Sequence, residues 1–512
     1  MKTRTQTQFG DFQTPVDLAQ QVIQFLSASG VSPSVVIEPT CGLGNFLIAS
    51  IGTFGGNIKH YGFDINPNYI NRAKDALARL KGVRYELQCE NFYDKDWTAF
   101  FRSLPEGLLI IGNPPWVTNA TLGSMRSGNL PEKSNFQGHR GFAAKTGKAN
   151  FDISEWMLIR LLESLNGMQA TLAMLCKTAT ARKILRHAWN HKFEVWDSSL
   201  HLIDAKQHFG VSVDACLFVT HTGKKEQRQT ASVYVDFSFT NLVARFGIYH
   251  GELVADIDAF RSFEDIDGIE YRKWRSGVKH DAAKIMELKP DGNFWVNGLG
   301  ERCTLESTYL FPLLKSSDLA NDRLQPSKYV LLTQRKVTDD TSSIGLSAPK
   351  TWQYLLTHCD YLDRRRSSIY SKRPRFAVFG VGPYTFSPWK VAISGLYRNP
   401  VFRVIGSVNG KPIVLDDTCY FIPCETEEEA TFFCLLLNSE IAKTFIRSLV
   451  FFDAKRPITI DVLKRIDLKK IAERMNSEKE ATHYLTNAVF EKGQQQLLIF
   501  EDEGEYRTNG CT

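Results

Sequence analysis

The chain has 512 residues, enough for two or three domains, and the composition of a globular protein. Lys and Arg outnumber Asp and Glu by 62 to 56, a mildly basic balance that permits a nucleic-acid partner without requiring one. The ten cysteines are scattered without a C-x-x-C pair, which argues against a disulfide framework and a zinc site, so we expect no metal. At the start of the chain, MKTRTQTQFGDF lacks the apolar segment of a signal peptide, and no later run approaches the ~20 apolar residues of a membrane span, so we expect a cytoplasmic protein with no membrane partner.

The first 220 residues alternate between short apolar runs and stretches with helical spacing. The predicted strands are residues 34–39, 59–66, 84–92, 107–113, 170–176 and 214–221. The predicted helices are residues 41–50, 66–80 with a cap at Asn66 or Asn68, and 153–166. This alternation is typical of an α/β fold, with a doubly wound, mostly parallel sheet.

Polar or glycine-rich segments follow four of the predicted strands. A glycine loop follows the first strand, and Asp64, Asn91 and Asn113 lie at the ends of the next three. The carboxyl ends of parallel strands meet at one edge of the sheet, where such folds bind their ligands. The sequence therefore predicts a ligand site at that edge.

The glycine loop predicts a nucleoside site without a phosphate site. Gly42 and Gly44 allow close approach of a ligand, but Leu47 occupies the place of the third glycine of a dinucleotide fingerprint. Asp64, about 20 positions further on, can accept both ribose hydroxyls, and Glu38 before the loop suits a cationic ligand. S-adenosylmethionine is a nucleoside with a sulfonium and an amino group, and it fits this set. The structural alternative is an ordinary glycine-rich turn between a strand and a helix.

The run LLIIGNPPWVTN, residues 108–119, passes from a strand directly into two prolines and a tryptophan. Each proline fixes the backbone and removes a donor, and the residue before it is pushed away from helix. The pattern indicates either a tight turn with an exposed aromatic ring or a rigid cradle for a planar ligand.

Six segments resemble the motifs of amino-methylating, S-adenosylmethionine-dependent DNA methyltransferases. VIEPTCGLGNFL, YGFDIN and IIGNPPW resemble motifs I, II and IV, and FGDFQTPVDLAQQVI resembles motif X. ENFYDKDW is similar to motif III, and HFGVSVDACLFV is similar to the motif VIII strand. The order X, I, II, III, IV, VIII is that of the gamma-type N6-adenine DNA methyltransferases of bacterial restriction–modification systems, and the resemblance covers roughly residues 8–220.

The resemblance implies a set of residues that bind S-adenosyl-L-methionine. Those over its methionine part and along the glycine loop would be Thr14, Pro15, Glu38, Cys41, Gly42 and Gly44. Asp64 would hold the ribose, and Ile65 would pack against the adenine ring. Asn91 and Phe92 stand where the family usually has Asp before Phe, and the amide oxygen can still accept from the amino group of the cofactor.

The resemblance also implies a catalytic set, Asn113, Pro114, Pro115 and Trp116. The Asn113 side-chain oxygen and the Pro114 carbonyl would accept the two N–H bonds of an adenine amine and turn its lone pair toward the methyl group. Trp116 would stack on the base, which must leave the duplex to reach the site. Phe209 in motif VIII would be a second aromatic contact, with a core phenylalanine as the alternative.

The alternation fades after the polar stretch at residues 220–230, a possible hairpin loop, and we expect a domain boundary near residue 260. YRKWRSGVKHDAAKI and LLKSSDL resemble segments of target-recognition regions. Residues 364–398 hold eight Lys or Arg and no Asp or Glu, interleaved with aromatic residues, which is typical of a nucleic-acid surface. The candidate DNA contacts there are Arg364, Arg365, Arg366, Lys372, Arg373 and Arg375. The alternative is a solvated basic face beside a strand pair.

Together these features predict a Rossmann-like class I methyltransferase domain at residues 1–260 and a mixed α/β target-recognition domain at residues 261–512. The expected activity is transfer of a methyl group to the N6 amine of a flipped adenine in double-stranded DNA, in a restriction–modification or phage-defence system of the bacterial cytoplasm. A separate restriction endonuclease is a candidate partner, because the chain shows no convincing nuclease cluster. The alternatives are an RNA adenine-N6 or protein-glutamine methyltransferase, a noncatalytic DNA-binding module and a nucleotide-dependent oxidoreductase.

Overall fold

The computed structural model describes residues 12–117, 152–223, 228–371 and 373–485. The chain divides into two compact units, Met1–Asp258 and Ala259–Thr512. Among the described residues, no helix has the length and apolar character needed to cross a membrane.

The first unit is built around one sheet. Its strands are β1 Val35–Glu38, β2 Lys59–Asp64, β3 Arg84–Cys89, β4 Leu108–Gly112, β5 Ala170–Lys177, β6 Val195–Ile203, β7 Ala215–Thr222, β8 Thr230–Tyr234, β9 Leu242–Tyr249 and β10 Glu252–Val254. Its helices are α1 Val16–Ala28, α2 Asn45–Phe54, α3 Pro67–Leu77, α4 Trp97–Arg102, α5 Ile153–Leu165, α6 Thr178–Asn190 and α7 Ala205–Phe209, and α8 Ile257–Ser262 crosses the division between the units.

The strand order in this sheet is β10-β9-β8-β6-β7-β5-β4-β1-β2-β3. The five neighbouring strands β5, β4, β1, β2 and β3 pair in parallel. Their carboxyl ends therefore lie at one edge of the sheet, which we call the carboxyl edge. β7 runs antiparallel between β5 and β6, and β8 to β10 extend the sheet beyond β6. The predicted α/β fold with a wound, mostly parallel sheet is confirmed, and the antiparallel pairs of β7, β9 and β10 make the sheet mixed.

Local sequence explains where the elements of the carboxyl edge begin and end. All five residues of β4 are buried, and each fully buried Leu or Ile contributes about 1.5–3 kcal/mol. β1 stops before Pro39 and β4 stops one residue before the two prolines. Asn66, one of the two predicted caps, begins α3 by accepting a hydrogen bond from the Asn68 backbone at 3.0 Å.

In this unit one strand within the first 220 residues was missed, and one expectation is wrong. β6 was not predicted, although Val195–Ile203 is a full strand of the sheet. The polar stretch at residues 220–230 is not a hairpin loop, because β7 pairs with β5 and β6 while β8 pairs with β6 in parallel. Residues 224–227 of that stretch lie outside the described residues.

The second unit has short strands, mostly antiparallel, and short helices. Its strands are β11 Arg275–Ser276, β12 Glu287–Asp291, β13 Phe294–Val296, β14 Arg302–Cys303, β15 Leu310–Leu314, β16 Lys328–Leu331, β17 Trp389–Ser394, β18 Phe402–Ile405, β19 Ser407–Val408, β20 Lys411–Pro412, β21 Val414–Leu415 and β22 Cys419–Cys424. Its helices are α9 Ala283–Met286, α10 Ser316–Ala320, α11 Ile344–Ser347, α12 Pro349–Thr357, α13 Cys359–Asp363, α14 Glu427–Asn438, α15 Glu440–Leu449, α16 Ile460–Leu463, α17 Leu468–Arg474 and α18 Glu478–Leu485. The larger sheets have the orders β14-β13-β12-β16-β15-β21 and β11-β22-β17-β18.

Candidate active site

The glycine loop joins β1 to α2 at the carboxyl edge. Gly42 and Gly44 have φ angles of +48° and +77°, a left-handed conformation that side chains disfavour. A Cβ at Gly42 would lie 2.8 Å from Nε2 of the Gln13 side chain, so any larger residue here would displace the end of that side chain. The next residue is held as well, since the Leu43 backbone donates to Gln13 Oε1 at 3.0 Å.

Asp64 at the end of β2 holds the glycine loop. Its Oδ2 accepts from the Gly42 backbone at 2.9 Å, and its Oδ1 accepts from the Asn66 backbone at 2.8 Å. An ionised carboxylate offers about four acceptor positions. The ribose contact stays a prediction, as does the adenine contact of the neighbouring Ile65, whose side chain is 51% exposed.

Glu38 at the end of β1 is a buried acid with an unused oxygen. The residue is 3% exposed, and its Oε2 has no hydrogen-bond partner among the described residues. Burial raises the pKa of this carboxyl well above its usual range, and the nearby charge of Asp64 raises it further. A cation placed beside Glu38 would stabilise the ionised form, so the site fits the sulfonium or amino group of S-adenosylmethionine.

The backbone just before α1 bridges the two loops of the carboxyl edge. The Thr14 carbonyl accepts from Asn45 Nδ2 at 2.8 Å, on the glycine-loop side. The Phe12 carbonyl accepts from Asn113 Nδ2 at 2.9 Å, on the side of the loop after β4. The sequence named Thr14 and Pro15 for this region but missed Gln13, because a glutamine beside a proline carries no pattern of its own.

The loop Asn113–Trp116, which we call the NPPW loop, presents a buried acceptor. Asn113 Oδ1 is buried and has no hydrogen-bond partner among the described residues. Since Nδ2 donates to the Phe12 carbonyl, the orientation of the amide is assigned by that bond. A buried acceptor without a partner costs about 1–3 kcal/mol, which a ligand N–H would recover.

Trp116 and Phe209 meet although 93 positions separate them in the sequence. Their ring centroids are 5.1 Å apart in an edge-to-face arrangement, and Phe12 lies 6.2 Å from both rings. The Trp116 indole donates to the Leu175 carbonyl at 3.2 Å, and the residue is only 6% exposed. The exposed-turn alternative for Trp116 is therefore wrong. A base could stack on this ring only after neighbouring side chains move, and the stacking roles of both residues stay predictions.

Asn91 and Phe92, which follow β3, make contacts with residues close to them in the sequence. Asn91 donates from Nδ2 to Asp94 at 2.9 Å, and its Oδ1 accepts from the Tyr93 backbone at 3.3 Å. Phe92 is 7% exposed and packs on Trp97, with 5.0 Å between ring centroids. These contacts form a turn and an aromatic cluster at the carboxyl edge, and the predicted contact of either residue with the cofactor remains untested.

Sequence reasoning missed an ion pair beside the NPPW loop. Lys177, the last residue of β5, donates to Asp152 Oδ2 at 2.6 Å and to the Trp116 carbonyl at 3.3 Å. Asp152 caps α5 by accepting from the Ser154 backbone at 3.1 Å. The Asp-x-Ser signal of a helix cap was readable, but its lysine partner lies 25 residues further on.

The basic stretch of the second unit is less available than its composition suggests. Arg365 donates to the carbonyls of Leu362, His280 and Ala377, and its guanidinium lies 3.7 Å from the centre of the Tyr370 ring. Burial lowers the pKa of Arg365. Its Nε and Nη1 already donate to the backbone, which gives Arg365 a structural role, and its contact with DNA phosphate stays a prediction.

The other predicted basic residues differ in exposure and pairing. Arg364 pairs with Asp360 at 3.2 Å and Arg375 with Asp363 at 2.7 Å, and both arginines are exposed. Arg366 is exposed and Arg373 half-buried, and neither side chain has an ion-pair partner in the described part of the chain. Lys372 lies outside the described residues.

Cys41 is buried in the glycine loop, and burial raises its pKa, so its thiol is neutral. Nine cysteines fall within the described ranges, and all of them are free thiols. The same ranges contain no group of three His, Cys, Asp or Glu arranged to hold a metal ion.

The wound sheet, with a glycine loop and an acid-lined edge suited to a cationic nucleoside, defines a class I S-adenosylmethionine-dependent methyltransferase. The chain is 43% identical over 472 residues to the type II methyltransferase M.NspV of Nostoc sp., covering 92% of this chain and 98% of that protein. No family model matches the chain. It therefore belongs to the family of type II methyltransferases, which confirms the expected fold, the expected cofactor S-adenosyl-L-methionine and the expected class of enzyme.

Two solved structures are also similar to this chain. The type IIL restriction-modification enzyme MmeI in complex with DNA is 12% identical, with 95% of this chain and 75% of that chain covered and a TM-score of 0.49. The methyltransferase subunit of a type I restriction-modification system from Streptococcus thermophilus is 15% identical, with 50% and 52% covered and a TM-score of 0.31.

Proposed function

We propose that this enzyme transfers the methyl group of S-adenosylmethionine to the N6 amine of an adenine extruded from double-stranded DNA. The observation that carries the proposal is Asn113 Oδ1, a buried acceptor without a partner among the described residues, placed by two prolines at the carboxyl edge. A type II methyltransferase of this kind would protect the DNA of its bacterial host in a restriction–modification or phage-defence system, with a separate restriction endonuclease as partner.

An acceptor at this position suits an amine substrate. The lone pair of the adenine amine is delocalised into the ring, so the nitrogen becomes a better nucleophile when it turns pyramidal and the lone pair is localised toward the methyl group. Asn113 Oδ1 and the Pro114 carbonyl would each accept one N–H and hold the nitrogen in that orientation. Both oxygens are fixed before the reaction, which is electrostatic preorganisation.

The proposed reaction needs alignment more than it needs a base. When bound, S-adenosylmethionine supplies a methyl group on a positively charged sulfur, which leaves as a neutral thioether. The proton of the amine can therefore leave after transfer. What remains for the protein is to hold the nitrogen, the methyl carbon and the sulfur in line.

The cofactor would lie along the glycine loop, with Glu38 near its positive charge and Asp64 at its ribose. The support is that Glu38 Oε2 is buried and has no partner in the described ranges, as expected of a group that a cation completes. The remaining contacts proposed for the cofactor involve Thr14, Pro15, Cys41, Gly42, Gly44, Ile65, Asn91 and Phe92.

The extruded base would lie near Trp116 and Phe209, which are edge to face at 5.1 Å beside the NPPW loop. Base–aromatic stacking contributes about 1–3 kcal/mol and would offset part of the cost of extrusion. We assign this chemistry to the unit Met1–Asp258 and target recognition to the unit Ala259–Thr512. The exposed arginines of the basic stretch would then contact DNA phosphates.

The competing functions keep the same chemistry on another acceptor. An RNA adenine or a protein glutamine also presents a planar amine to two acceptors. DNA is favoured because the chain belongs to the type II methyltransferases along nearly its whole length. Membership in that family also disfavours a noncatalytic DNA-binding module.

The test is expression in a host that lacks adenine methylation, followed by sequencing of its DNA with modification detection and mass spectrometry of its nucleosides. We expect N6-methyladenine at one sequence motif, and a much smaller fraction of modified sites with the Asn113→Ala variant. N4-methylcytosine in its place would overturn the adenine assignment. A methyl group found only in RNA or protein would overturn the DNA assignment.

A further inference from the structure

Lys177 reaches from the end of β5 to the loop that follows β4. The two strands are parallel neighbours, with Gly112 opposite Met174, so their carboxyl ends lie side by side. The Lys177 ammonium is 2.6 Å from Asp152 Oδ2 and 3.3 Å from the Trp116 carbonyl oxygen. It thus bridges the NPPW loop and the start of α5.

Asp152 fixes the position of this ammonium. Its side chain is 9% exposed, and its second oxygen accepts from the backbone and from the hydroxyl of Ser154 at 3.1 Å and 2.5 Å. The backbone is closed at the same point, since Ile153 N donates to the Val117 carbonyl at 2.9 Å. An ion pair shielded in this way has a defined geometry, unlike a pair on an open surface.

The NPPW loop needs such external contacts because its prolines lack backbone donors. Three of the contacts described above fix this loop, two through side chains and one through the backbone carbonyl of its last residue. Asn113 donates to the Phe12 carbonyl, the Trp116 indole donates to the Leu175 carbonyl, and the Trp116 carbonyl accepts from Lys177. Among these three contacts only the last is charged, and it acts directly on the main chain two residues after Pro114.

We propose that Lys177 is a positioning residue for methyl transfer, held by Asp152 and acting through the Trp116 carbonyl on the acceptor oxygens of the NPPW loop. This inference rests on the proposed function, since those oxygens matter for the rate only if they hold the target amine. Removing Lys177 should leave the binding of cofactor and DNA largely intact and reduce the chemical step.

The experiment compares Lys177→Met with Lys183→Met in the full-length enzyme. Lys183 is a matched control, because it also pairs with a buried acid, Glu155, at 3.0 Å, but it is not bonded to the NPPW loop.

We expect Lys177→Met to lower single-turnover DNA methylation by about ten- to a hundredfold, the scale of an active-site misplacement. Affinities for S-adenosylmethionine and DNA should change by less than about threefold, the methylation rate of folded Lys183→Met should be unchanged, and Lys177→Arg should recover most of the rate. A wild-type rate in Lys177→Met, or an equal loss in Lys183→Met, would overturn the inference.

A spectroscopic readout separates this inference from the proposed function. In protein labelled with fluorotryptophan, the Trp116 fluorine signal is identified by its loss in Trp116→Phe. It should shift in Lys177→Met and stay in place in Lys183→Met, whatever the acceptor substrate is. If wild-type enzyme fails to methylate DNA, the proposed function fails and this signal still tests the hydrogen bond from Lys177 to the Trp116 carbonyl. An unmoved signal in Lys177→Met overturns the inference even when the wild type methylates DNA.

Asp152→Asn keeps the test decisive if Lys177→Met does not fold. The amide retains an oxygen for the Ser154 cap but loses the charge that holds the ammonium. We expect a smaller loss of rate than in Lys177→Met, and no further loss when both changes are combined, because they act on one ion pair. An unchanged rate in Asp152→Asn, or fully additive losses in the double variant, would overturn the role assigned to the pair.

Discussion

Asn113 is the residue whose replacement should best separate binding from methyl transfer. Asn113→Ala removes the buried Oδ1 acceptor and also the bond from Nδ2 to the Phe12 carbonyl. We expect cofactor and DNA affinity to remain within a few-fold, and the single-turnover rate to fall by about 10²–10³, as for loss of one preorganised oxyanion-hole donor. Rapid-quench methylation with excess enzyme measures this rate.

Asn113→Asp provides the control for the missing Phe12 bond. The carboxylate keeps two acceptor oxygens and cannot donate to the Phe12 carbonyl. Activity retained in Asn113→Asp and lost in Asn113→Ala would assign the effect to the acceptor. Full activity in Asn113→Ala would refute the role proposed for the NPPW loop.

Glu38 should lower the stability of the cofactor-free enzyme at neutral pH while it strengthens the binding of the cofactor. Its pKa is raised in the folded protein by burial and then by Asp64, so between the usual carboxyl range and the raised value the folded state binds more protons than the unfolded state. The free energy of unfolding of the cofactor-free enzyme therefore loses a contribution as pH rises through that window. Glu38→Gln cannot ionise, so we expect it to be more stable than wild type at neutral pH and similar to it in acid, while it binds S-adenosylmethionine more weakly.

Melting curves of both proteins from about pH 4 to about pH 8, with and without cofactor, check this prediction. A wild-type stability advantage that grows with pH in the cofactor-free state would contradict it. Unchanged cofactor affinity in Glu38→Gln would also contradict it, because Glu38 Oε2 would then not interact with the positive charge of the cofactor.

The positions of single residues in the fold were predicted well where a backbone constraint fixes them and poorly where a distant partner does, while their roles stay predictions. Gly42 and Asn113 stand at strand ends that the apolar pattern already defines. The burial of Trp116 depends on Phe209 and on the Leu175 carbonyl, both distant in sequence. Lys177 gave no signal, since a lysine after an apolar strand is normally solvated.

At the scale of elements, Asp64 connects β2, the glycine loop and the start of α3. Asp64→Ala should lower the stability of the fold as well as cofactor affinity, because two backbone N–H groups, of Gly42 and Asn66, lose a charged acceptor. Hydrogen bonds to charged groups contribute about 1.5–3 kcal/mol each, so we expect a loss of roughly 2–4 kcal/mol after partial replacement by water. Asp75→Ala, which removes an exposed acid from α3, is the matched control.

Denaturant unfolding and calorimetry with S-adenosylmethionine measure the two effects of Asp64→Ala. Asp64→Asn should keep part of the stability, since one oxygen remains, and should still bind the ribose less well than wild type. Unchanged affinity in both variants, with the Asp75→Ala control behaving as wild type, would remove Asp64 from the cofactor site.

The order of the elements was recoverable from sequence as far as β5. The strands β1, β4 and β5 are buried almost throughout and carry continuous apolar runs, while β2 and the edge strand β3 are only partly buried and were placed by the alternation of strands with helices. β6 escaped because Val195–Ile203 mixes Trp196, Asp197 and two serines with its apolar residues, so it matches neither a buried nor an alternating strand. The hairpin expected at residues 220–230 failed for another reason. A polar loop between two strands does not tell whether they pair with each other, and here β6 lies between β7 and β8.

For the whole molecule, the second unit was predicted least well, since its short strands and helices leave no sustained periodicity. Composition located the basic stretch but could not distinguish a guanidinium that faces solvent from one that ties loops together. Arg365 is of the second kind, and replacing it would disturb the backbone around Leu362 and Ala377. A test of DNA binding must therefore leave Arg365 in place.

Arg366→Gln combined with Arg373→Gln makes that test, because neither side chain has an ion-pair partner within the described residues. If both bind phosphates, DNA affinity should fall and the slope of log K against log[salt] should flatten by roughly 0.9 for each phosphate that is no longer neutralised, about 1.8 in all. Arg323→Gln is the control for the loss of a surface arginine, because Arg323 is exposed, belongs to the same unit and pairs with Asp318 at 3.2 Å. Because the release of counterions depends on phosphates and not on base sequence, the two-residue variant should bind specific and nonspecific DNA more weakly alike, with methylation of saturated DNA unchanged. Fluorescence anisotropy titrations over a range of salt concentrations measure the slope, and a slope equal to that of Arg323→Gln would place the DNA on another surface.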